Sequence, residues 1–144
     1  QTSRENGRTP FQWNTTKNAG FTSGNPWLKV NQNFKTVNAE EQEKDPKSVL
    51  NYFRKLVQIR KEIPALIYGK FTLLDENNSA VYAYTRELNN KKILVLLNFT
   101  NKNAVYNLNF KLGKHEVILD NYEDCNQVKK NSLRPYEAII IHFD

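Results

Sequence analysis

The sequence predicts a mainly β fold, an antiparallel β-sandwich preceded by one helix and a long irregular N-terminal segment. From Ala65 onward, apolar residues recur with a period of two, which is typical of half-buried strands. Clusters of Asn, Asp, Gly and Ser separate these runs at short intervals, as in sandwiches of short strands. The stretch from Asp45 to Ile63 instead carries apolar residues at helical spacing.

The N-terminal segment, residues 1–44, follows neither period. It is rich in Asn, Thr and Gly, and Pro10 and Pro26 interrupt it. A structureless stretch of this length is uncommon inside a compact domain unless it is functional or belongs with another part of the protein. We therefore expect this segment either to carry function or to belong with another part of the protein.

The helix is expected to begin at Asp45 and Pro46, because Asp caps helices and Pro fits the first helical position. Pro64 is expected to end it. The apolar positions of this helix fall on one side and are Val49, Leu50, Phe53, Leu56, Val57 and Ile63.

Six strands are predicted after the helix. They are residues 67–74, 80–88, 92–99, 105–110, 115–119 and 137–143. The stretches 93–97 and 138–141 are continuous apolar runs, so their strands are expected in the middle of a sheet. Asn131 and Ser132 are expected to form a turn.

Composition argues against several classes of function. The chain has a net charge of +6, but residues 64–144 carry ten basic and nine acidic residues, so a mixed solvated surface is favoured over a nucleic-acid-binding site. No apolar run reaches the roughly 18 residues that a membrane span needs. The single Cys125 forms no internal disulfide, and His115 and His142 lack zinc-site spacing. No metal or cofactor is expected, and because the chain contains no Met, Gln1 is not expected to be a translational start.

Several motifs together resemble one known family. They are Ser3 to Trp13, Asn18 to Thr22, Pro26 to Asn31, Tyr68-Gly69, Val81 to Arg86, Leu97 to Phe99, Asp120 to Tyr122 and Leu133 to Ala138. This set resembles the oligo-1,6-glucosidase and α-glucosidase branch of the α-amylase superfamily, glycoside hydrolase family 13. The chain departs from the usual form of the first motif at Glu5, Gly7, Phe11 and Asn14, where the family has Asp, Ala, Met and Asp.

The resemblance implies a C-terminal part of a longer enzyme. Members of the family are several times longer, and their catalytic carboxylates lie upstream of the Arg-Thr-Pro motif. Residues 1–64 would then be the end of the catalytic TIM barrel, with a substrate-contact loop at 1–44 and the last barrel helix at 45–63. Residues 65–144 would form a C-terminal Greek-key β-sandwich. The intact protein would be a retaining α-glucosidase acting on short α-1,4- or α-1,6-linked oligosaccharides, and this chain would be inactive without its barrel.

Arg8 is the best candidate for substrate binding. In the resembled family the arginine before Thr-Pro helps to hold the glucose at which cleavage occurs, and a guanidinium fork donates to sugar hydroxyls at every working pH. Alternatively, Arg8 ties the loop down through a carboxylate. Arg4 and Glu5 are expected to brace the loop.

Two groups of aromatic residues leave alternatives open. Trp13, Phe21 and Trp27 either stack on sugar faces or pack the loop onto the barrel. Tyr82, Tyr84 and Tyr106 either form a solvent-facing strip, which would make the sandwich a carbohydrate-binding module, or pair across strands.

Within the enzyme interpretation, the Arg-Thr-Pro motif is shared by several activities. Trehalose-6-phosphate hydrolases, dextran glucosidases and sucrose isomerases carry it as well. The residues that separate these activities lie upstream, so all of them stay open as alternatives.

Overall fold

The computed structural model describes residues 7–122, 124 and 131–144. The chain divides into two compact units, Gln1–Gln58 and Ile59–Asp144. Each unit is described by itself below. No helix in the described part of the chain combines the length and the apolar character that a membrane span requires.

The first unit is built mainly from turns and irregular backbone. It contains two short 3₁₀ helices, Lys17–Gly20 and Gln32–Lys35, the helix α1 (Ala39–Lys44) and most of the helix α2 (Val49–Glu62). Asn38 caps α1 because its side-chain oxygen accepts a hydrogen bond from the Glu41 amide at 3.0 Å.

The helical part of this unit differs from the prediction in two respects. α1 lies in the segment predicted to be irregular, and α2 begins at Val49 instead of at Asp45. The Asp45 carboxylate accepts from the Lys47 amide at 2.8 Å and closes a turn. The Ser48 hydroxyl then accepts from the Asn51 amide at 3.2 Å, the contact that a helix cap makes.

The second unit is mainly β. It opens with the end of α2 and the short helix α3 (Ala65–Tyr68). Its strands are β1 (Lys70–Leu74), β2 (Val81–Leu88), β3 (Lys91–Asn98), β4 (Ala104–Val105), β5 (His115–Asp120), β6 (Ser132–Leu133) and β7 (Ala138–Phe143).

The strands form two antiparallel sheets. The larger has the order β1-β2-β3-β7-β5, and β4 pairs with β6 in the smaller. The chain crosses between the two sheets on its way from β3 to β7, and the arrangement is the predicted antiparallel β-sandwich. The two strands with continuous apolar runs, β3 and β7, lie inside the larger sheet, which confirms their predicted position.

Three predicted elements near the sheets are wrong in detail. Residues 65–68 are helical, because the Tyr68 amide donates to the Pro64 carbonyl at 2.8 Å and the Gly69 amide to the Ala65 carbonyl at 3.0 Å. The strand predicted at 105–110 is reduced to β4. β6 lies where a turn was predicted.

The sandwich core lies between the two sheets. Side chains from both sheets share it, and its members are Leu74, Val81, Ala83, Leu94, Leu96, Ala104, Tyr106, Leu133, Ile139, Ile141 and Phe143. Val81, Ala83 and Thr85 of β2 are buried on the core side, so the alternating Tyr82, Tyr84 and Arg86 lie on the opposite face. We call this opposite face of the larger sheet the outer face. α3 packs against β2 and β3.

Candidate functional site

The segment that carries Arg8 is fixed to the start of α1. The Ala39 amide donates to the Gln12 carbonyl and the Glu40 amide to the Trp13 carbonyl, both at 2.9 Å. The Gln12 side-chain amide also donates to the Val37 carbonyl. Pro10 is buried between this anchored part and Arg8. Hydrogen bonds therefore fix the backbone of this segment, and contacts to a ligand are left to its exposed side chains.

Arg8 itself is exposed. Among residues 7–122, 124 and 131–144, no carboxylate forms an ion pair with it. Arg4 and Glu5 lie outside the described residues, so their predicted bracing role stays a prediction.

The loop after Trp13 is a tight left-handed turn. The Ala19 carbonyl accepts from the amides of Trp13 at 2.9 Å and Asn14 at 3.2 Å. Asn18, Ala19 and Gly20 have φ values of 56°, 57° and 68°, which are unfavourable for residues with a Cβ. A Cβ on Gly20 would lie 2.6 Å from Asn14 Oδ1. This geometry explains Asn18 and Gly20 of the motif, since Asn and Gly tolerate positive φ, without any contact to a ligand.

Aromatic side chains line the exposed surface of this unit. The rings of Phe11 and Trp13 lie 4.5 Å apart between centroids and are tilted by 57°. Trp27 is 89% exposed, and Phe21 is exposed as well. The Phe11–Trp13 pair escaped the sequence analysis, although a spacing of two in an extended segment places side chains on one side.

A cleft of about 470 Å³ lies beside the Arg8 segment. Its lining is mainly apolar and consists of Thr9, Pro10, Phe11, Gln12, Val37, Asn38, Ala39, Gln42, Val49 and Leu50. The amides in this lining are already engaged, since Asn38 Nδ2 donates to the Phe34 carbonyl at 2.9 Å and Gln42 Oε1 accepts from the Leu50 amide at 3.3 Å. The cleft therefore presents apolar surface more than sugar-binding groups.

The acidic side chains of α1 form ion pairs with lysine and arginine side chains. Glu40 and Glu41 lie 3.0 Å and 3.1 Å from Lys44 Nζ. Arg54 binds Glu43 through two hydrogen bonds, which hold the pKa of that carboxyl below its usual value. In the described residues no group of three or more His, Cys, Asp or Glu side chains is placed to hold a metal ion.

A buried polar cluster in the second unit was not predicted. Glu137 is fully buried and binds Arg134, whose Nε lies 2.8 Å from Glu137 Oε1. Glu137 Oε2 also accepts from the Arg134 backbone amide at 2.6 Å. Arg134 lies 3.8 Å from the centroid of the Tyr122 ring, and its bond to Asp124 lowers the pKa of that carboxyl. The ion pairs of Arg134 with Asp120 and Asp124 were not predicted from the sequence.

Asn98 ties the same cluster to the end of β3. Its side-chain amide donates to the carbonyls of Lys102 and Arg134, both at 2.7 Å, and its oxygen accepts from the Thr100 amide at 2.9 Å. These contacts involve the Leu-Asn-Phe and Leu-Arg-Pro-Tyr-Glu-Ala motifs. Both motifs therefore serve the architecture of the sandwich.

The three tyrosines of the possible binding strip separate into two groups. Tyr106 is buried in the sandwich core, so the alternative of a solvent-facing strip does not hold for this residue. Tyr82 and Tyr84 lie on the outer face, with ring centroids 5.5 Å apart, and Phe71 adds a third ring 5.2 Å from Tyr84. We call Phe71, Tyr82 and Tyr84 the aromatic strip.

Two family models divide the chain between them. Residues 1–69 match the model described as the alpha amylase catalytic domain, and residues 71–140 match the C-terminal domain of maltogenic amylase. The predicted domain boundary after residue 64 stays a prediction.

Named relatives and solved structures match nearly the whole chain. The oligo-1,6-glucosidase of Parageobacillus thermoglucosidasius is 40% identical over 143 residues, which cover 94% of this chain and 25% of that protein. The trehalose-6-phosphate hydrolase of Bacillus licheniformis superposes with a TM-score of 0.90 at 37% identity, over 98% of this chain and 26% of that one. The isomaltulose synthase of Protaminobacter rubrum gives 0.89 at 48% identity, over 99% and 26%. The chain thus spans about a quarter of the length of these relatives.

Proposed function

Since the chain belongs to the α-amylase superfamily, we propose that it is the C-terminal part of a retaining α-glucosidase. The intact enzyme would release terminal α-1,4- or α-1,6-linked glucose from short oligosaccharides. The observation that carries this proposal is Arg8, an exposed guanidinium on a hydrogen-bonded segment inside the range that matches the catalytic domain. Names of relatives such as oligo-1,6-glucosidase support the same substrate class.

In this proposal the parts of the chain have different roles. Arg8 donates hydrogen bonds to hydroxyls of the glucose at the cleavage subsite. Retaining hydrolysis needs two carboxyl groups about 5–5.5 Å apart, and we assign that pair to the part of the protein outside this chain. Residues 1–64 complete the barrel, with α2 as its last helix, and residues 65–144 form a structural domain. The chain alone is inactive.

The test uses the intact protein, meaning the full-length enzyme that contains this chain and the rest of its catalytic domain. We expect glucose release from isomaltose or maltose, with the α-anomer detected first by NMR. Arg8→Lys keeps the charge but removes the planar fork, so kcat/KM should fall roughly 10- to 100-fold. Lys55→Ala, which removes an exposed cation on α2, serves as the control and should leave kcat/KM unchanged. Unchanged kcat/KM in Arg8→Lys would remove Arg8 from the substrate site.

A second candidate activity is sucrose isomerisation. It is favoured by the 48% identity to an isomaltulose synthase, and another such enzyme is described in complex with its natural substrate sucrose. Product analysis after incubation with sucrose separates the candidates. Isomaltulose as the main product would replace the hydrolase proposal, whereas glucose and fructose in equal amounts would support it.

A further inference from the structure

The core side of the larger sheet becomes polar at one end. Thr85 of β2 and Leu94 of β3 are paired and buried on this side. Two positions further along on the same side, Glu87 is paired with Lys92, and Lys92 is paired with Phe143 of β7. We call this end of the sheet, marked by Glu87, Lys92 and Phe143, the mouth of the sandwich. Charged side chains therefore lie where the core side of the sheet meets solvent.

The segment that follows β4 also lies at this mouth. Leu108 and Phe110 pack against the sandwich core. The alternating Asn109 and Lys111 are exposed. The ring of Phe110 stacks on that of Phe143, with the centroids 5.2 Å apart and the planes 5° from parallel. The segment is therefore held by its apolar side chains and presents an amide and an ammonium group to solvent.

A cleft of about 390 Å³ lies between this segment and the sheet. We call it the mouth cleft. It shares Asn109, Phe110 and Lys111 with an adjoining cleft of about 680 Å³, which extends to Asn107 and His115. Sites for small molecules have volumes of roughly 300–1,000 Å³ and combine aromatic surface with a few polar groups. In size and lining, the mouth cleft matches such a site.

One side chain that lines the mouth cleft carries a buried hydroxyl group. Thr85 is 3% exposed. Among the residues that the structure describes, none forms a hydrogen bond with this hydroxyl group. A buried hydroxyl group without a partner is unfavourable. A molecule in the mouth cleft can supply that partner.

The charges around the mouth cleft balance. Lys92 and Lys111 contribute two positive charges to its lining, and Glu87 and Asp144 contribute two negative ones. With the amide of Asn109, the lining offers both donors and acceptors. A phosphate or an ammonium ligand would meet charges of its own sign here. A neutral ligand rich in hydroxyl groups, each of which donates and accepts, suits the cleft better.

We propose that the mouth cleft is a second saccharide-binding site, which takes a glucose unit of an α-glucoside oligosaccharide. The exposed part of the Phe110 ring contacts the apolar face of the sugar, and Thr85 and Asn109 form hydrogen bonds with its hydroxyl groups. The saccharide class follows from the cleft itself. The choice of α-glucosides among saccharides rests on the proposed function.

Methyl NMR of the intact protein tests the proposal without any variant. The cleavage subsite is first filled with a saturating iminosugar, 1-deoxynojirimycin, and isomaltotriose is then titrated. We expect the Thr85 methyl signal to shift saturably, while the methyl signals of Val105, which is exposed on the smaller sheet, stay in place. An unshifted Thr85 methyl signal would mean that water alone fills the cleft and would overturn the proposal. A Thr85 shift with inorganic phosphate but not with isomaltotriose would also overturn it, in favour of an anion site.

Two variants of the intact protein locate the binding in the same titration. Asn109→Ala should raise the Kd for isomaltotriose about five- to tenfold, since a hydrogen-bonding group is lost. Asn103→Ala removes an exposed amide outside both clefts and should leave the Kd unchanged. An unchanged Kd in Asn109→Ala would contradict the assignment of this residue to the site.

Thr85→Val separates binding from folding, because it removes the hydroxyl group and keeps the shape of the side chain. The Kd should rise about fivefold, and the urea midpoint should not fall, since no protein partner is lost. A lower midpoint with an unchanged Kd would show that the hydroxyl group serves the fold, and would overturn its assignment to the ligand.

None of these measurements reads catalysis. An intact protein that releases no glucose but shows the Thr85 shift would refute the proposed function and support the mouth cleft as a saccharide site. An active α-glucosidase whose Thr85 methyl signal ignores isomaltotriose would do the reverse.

Discussion

Different forces stabilise the inside of each of the two units. In residues 7–48 the buried residues are Pro10, Ala19, Asn38 and Ser48, which are small or polar, and large aromatic rings are exposed. In the sandwich, Leu94, Leu96 and Ile141 are fully buried in one core. The sandwich therefore contains its own apolar driving force, whereas the loop unit takes its shape from backbone and side-chain hydrogen bonds.

The largest effect is expected from a cavity in the sandwich core. Leu96→Ala should lower the free energy of unfolding by about 2–5 kcal/mol, because Leu96 is fully buried. Urea unfolding followed by far-UV circular dichroism measures this loss. Val105→Ala is the matched control, since Val105 is 72% exposed, and should change the free energy by less than about 0.5 kcal/mol. A small loss in Leu96→Ala would show that the core is not the main source of stability.

An intermediate effect is expected from the core tyrosine at alkaline pH. Burial, with the nearby charge of Glu137, raises the pKa of Tyr106 to about 12, against about 10 in an unfolded chain. Between these values the unfolded state binds fewer protons, so stability falls as pH rises from about 10 to 12, by up to roughly 2 kcal/mol.

Tyr106→Phe isolates this effect. Below about pH 10 the wild type and the variant should differ by a constant free energy, and above it the difference should shrink as only the wild type loses the contribution of Tyr106. Denaturant unfolding at a series of pH values checks this. A constant difference up to pH 12 would show that Tyr106 titrates normally in the folded protein.

The smallest effect is expected in the loop unit. Gly20→Ala forces a Cβ onto a residue with φ of 68° and against the Asn14 side chain, at a cost of roughly 1–2 kcal/mol. The amides of Trp13 and Asn14, which bond the Ala19 carbonyl, should exchange faster with solvent, while the sandwich amides keep their rates. Gly24→Ala is the control because its Cβ would meet only Thr22 Oγ1, at 3.7 Å. Faster exchange throughout the sandwich would contradict the separation of the two units.

The sandwich was largely predictable because its strands carry clear apolar patterns bounded by turn residues. β2, β3 and β7 were predicted to within one residue at each end, since β2 alternates in burial and β3 and β7 are continuous apolar runs. Residues 67 and 68 were predicted incorrectly as the start of a strand because a short apolar run fits a helical turn equally well. β6 has only two residues, too few to show any period.

The loop unit and the polar cluster were less predictable for physical reasons. Asn38 followed by Glu41 is the spacing of a cap and its third helical residue, and this signal could have revealed α1. Arg134 and Glu137 are close in sequence, but their bond to Asn98 depends on the pairing of β3 with β7. Contacts that depend on strand order leave no local pattern in a sequence.

The position of β7 sets an order of events during synthesis. β1, β2 and β3 pair in sequence and can assemble as soon as they leave the ribosome. β5 is joined to the larger sheet through β7, which is made later. Until β7 has been synthesised, β3 has an unpaired edge with which other nascent chains can pair. This interval is therefore the period of greatest aggregation risk for this domain.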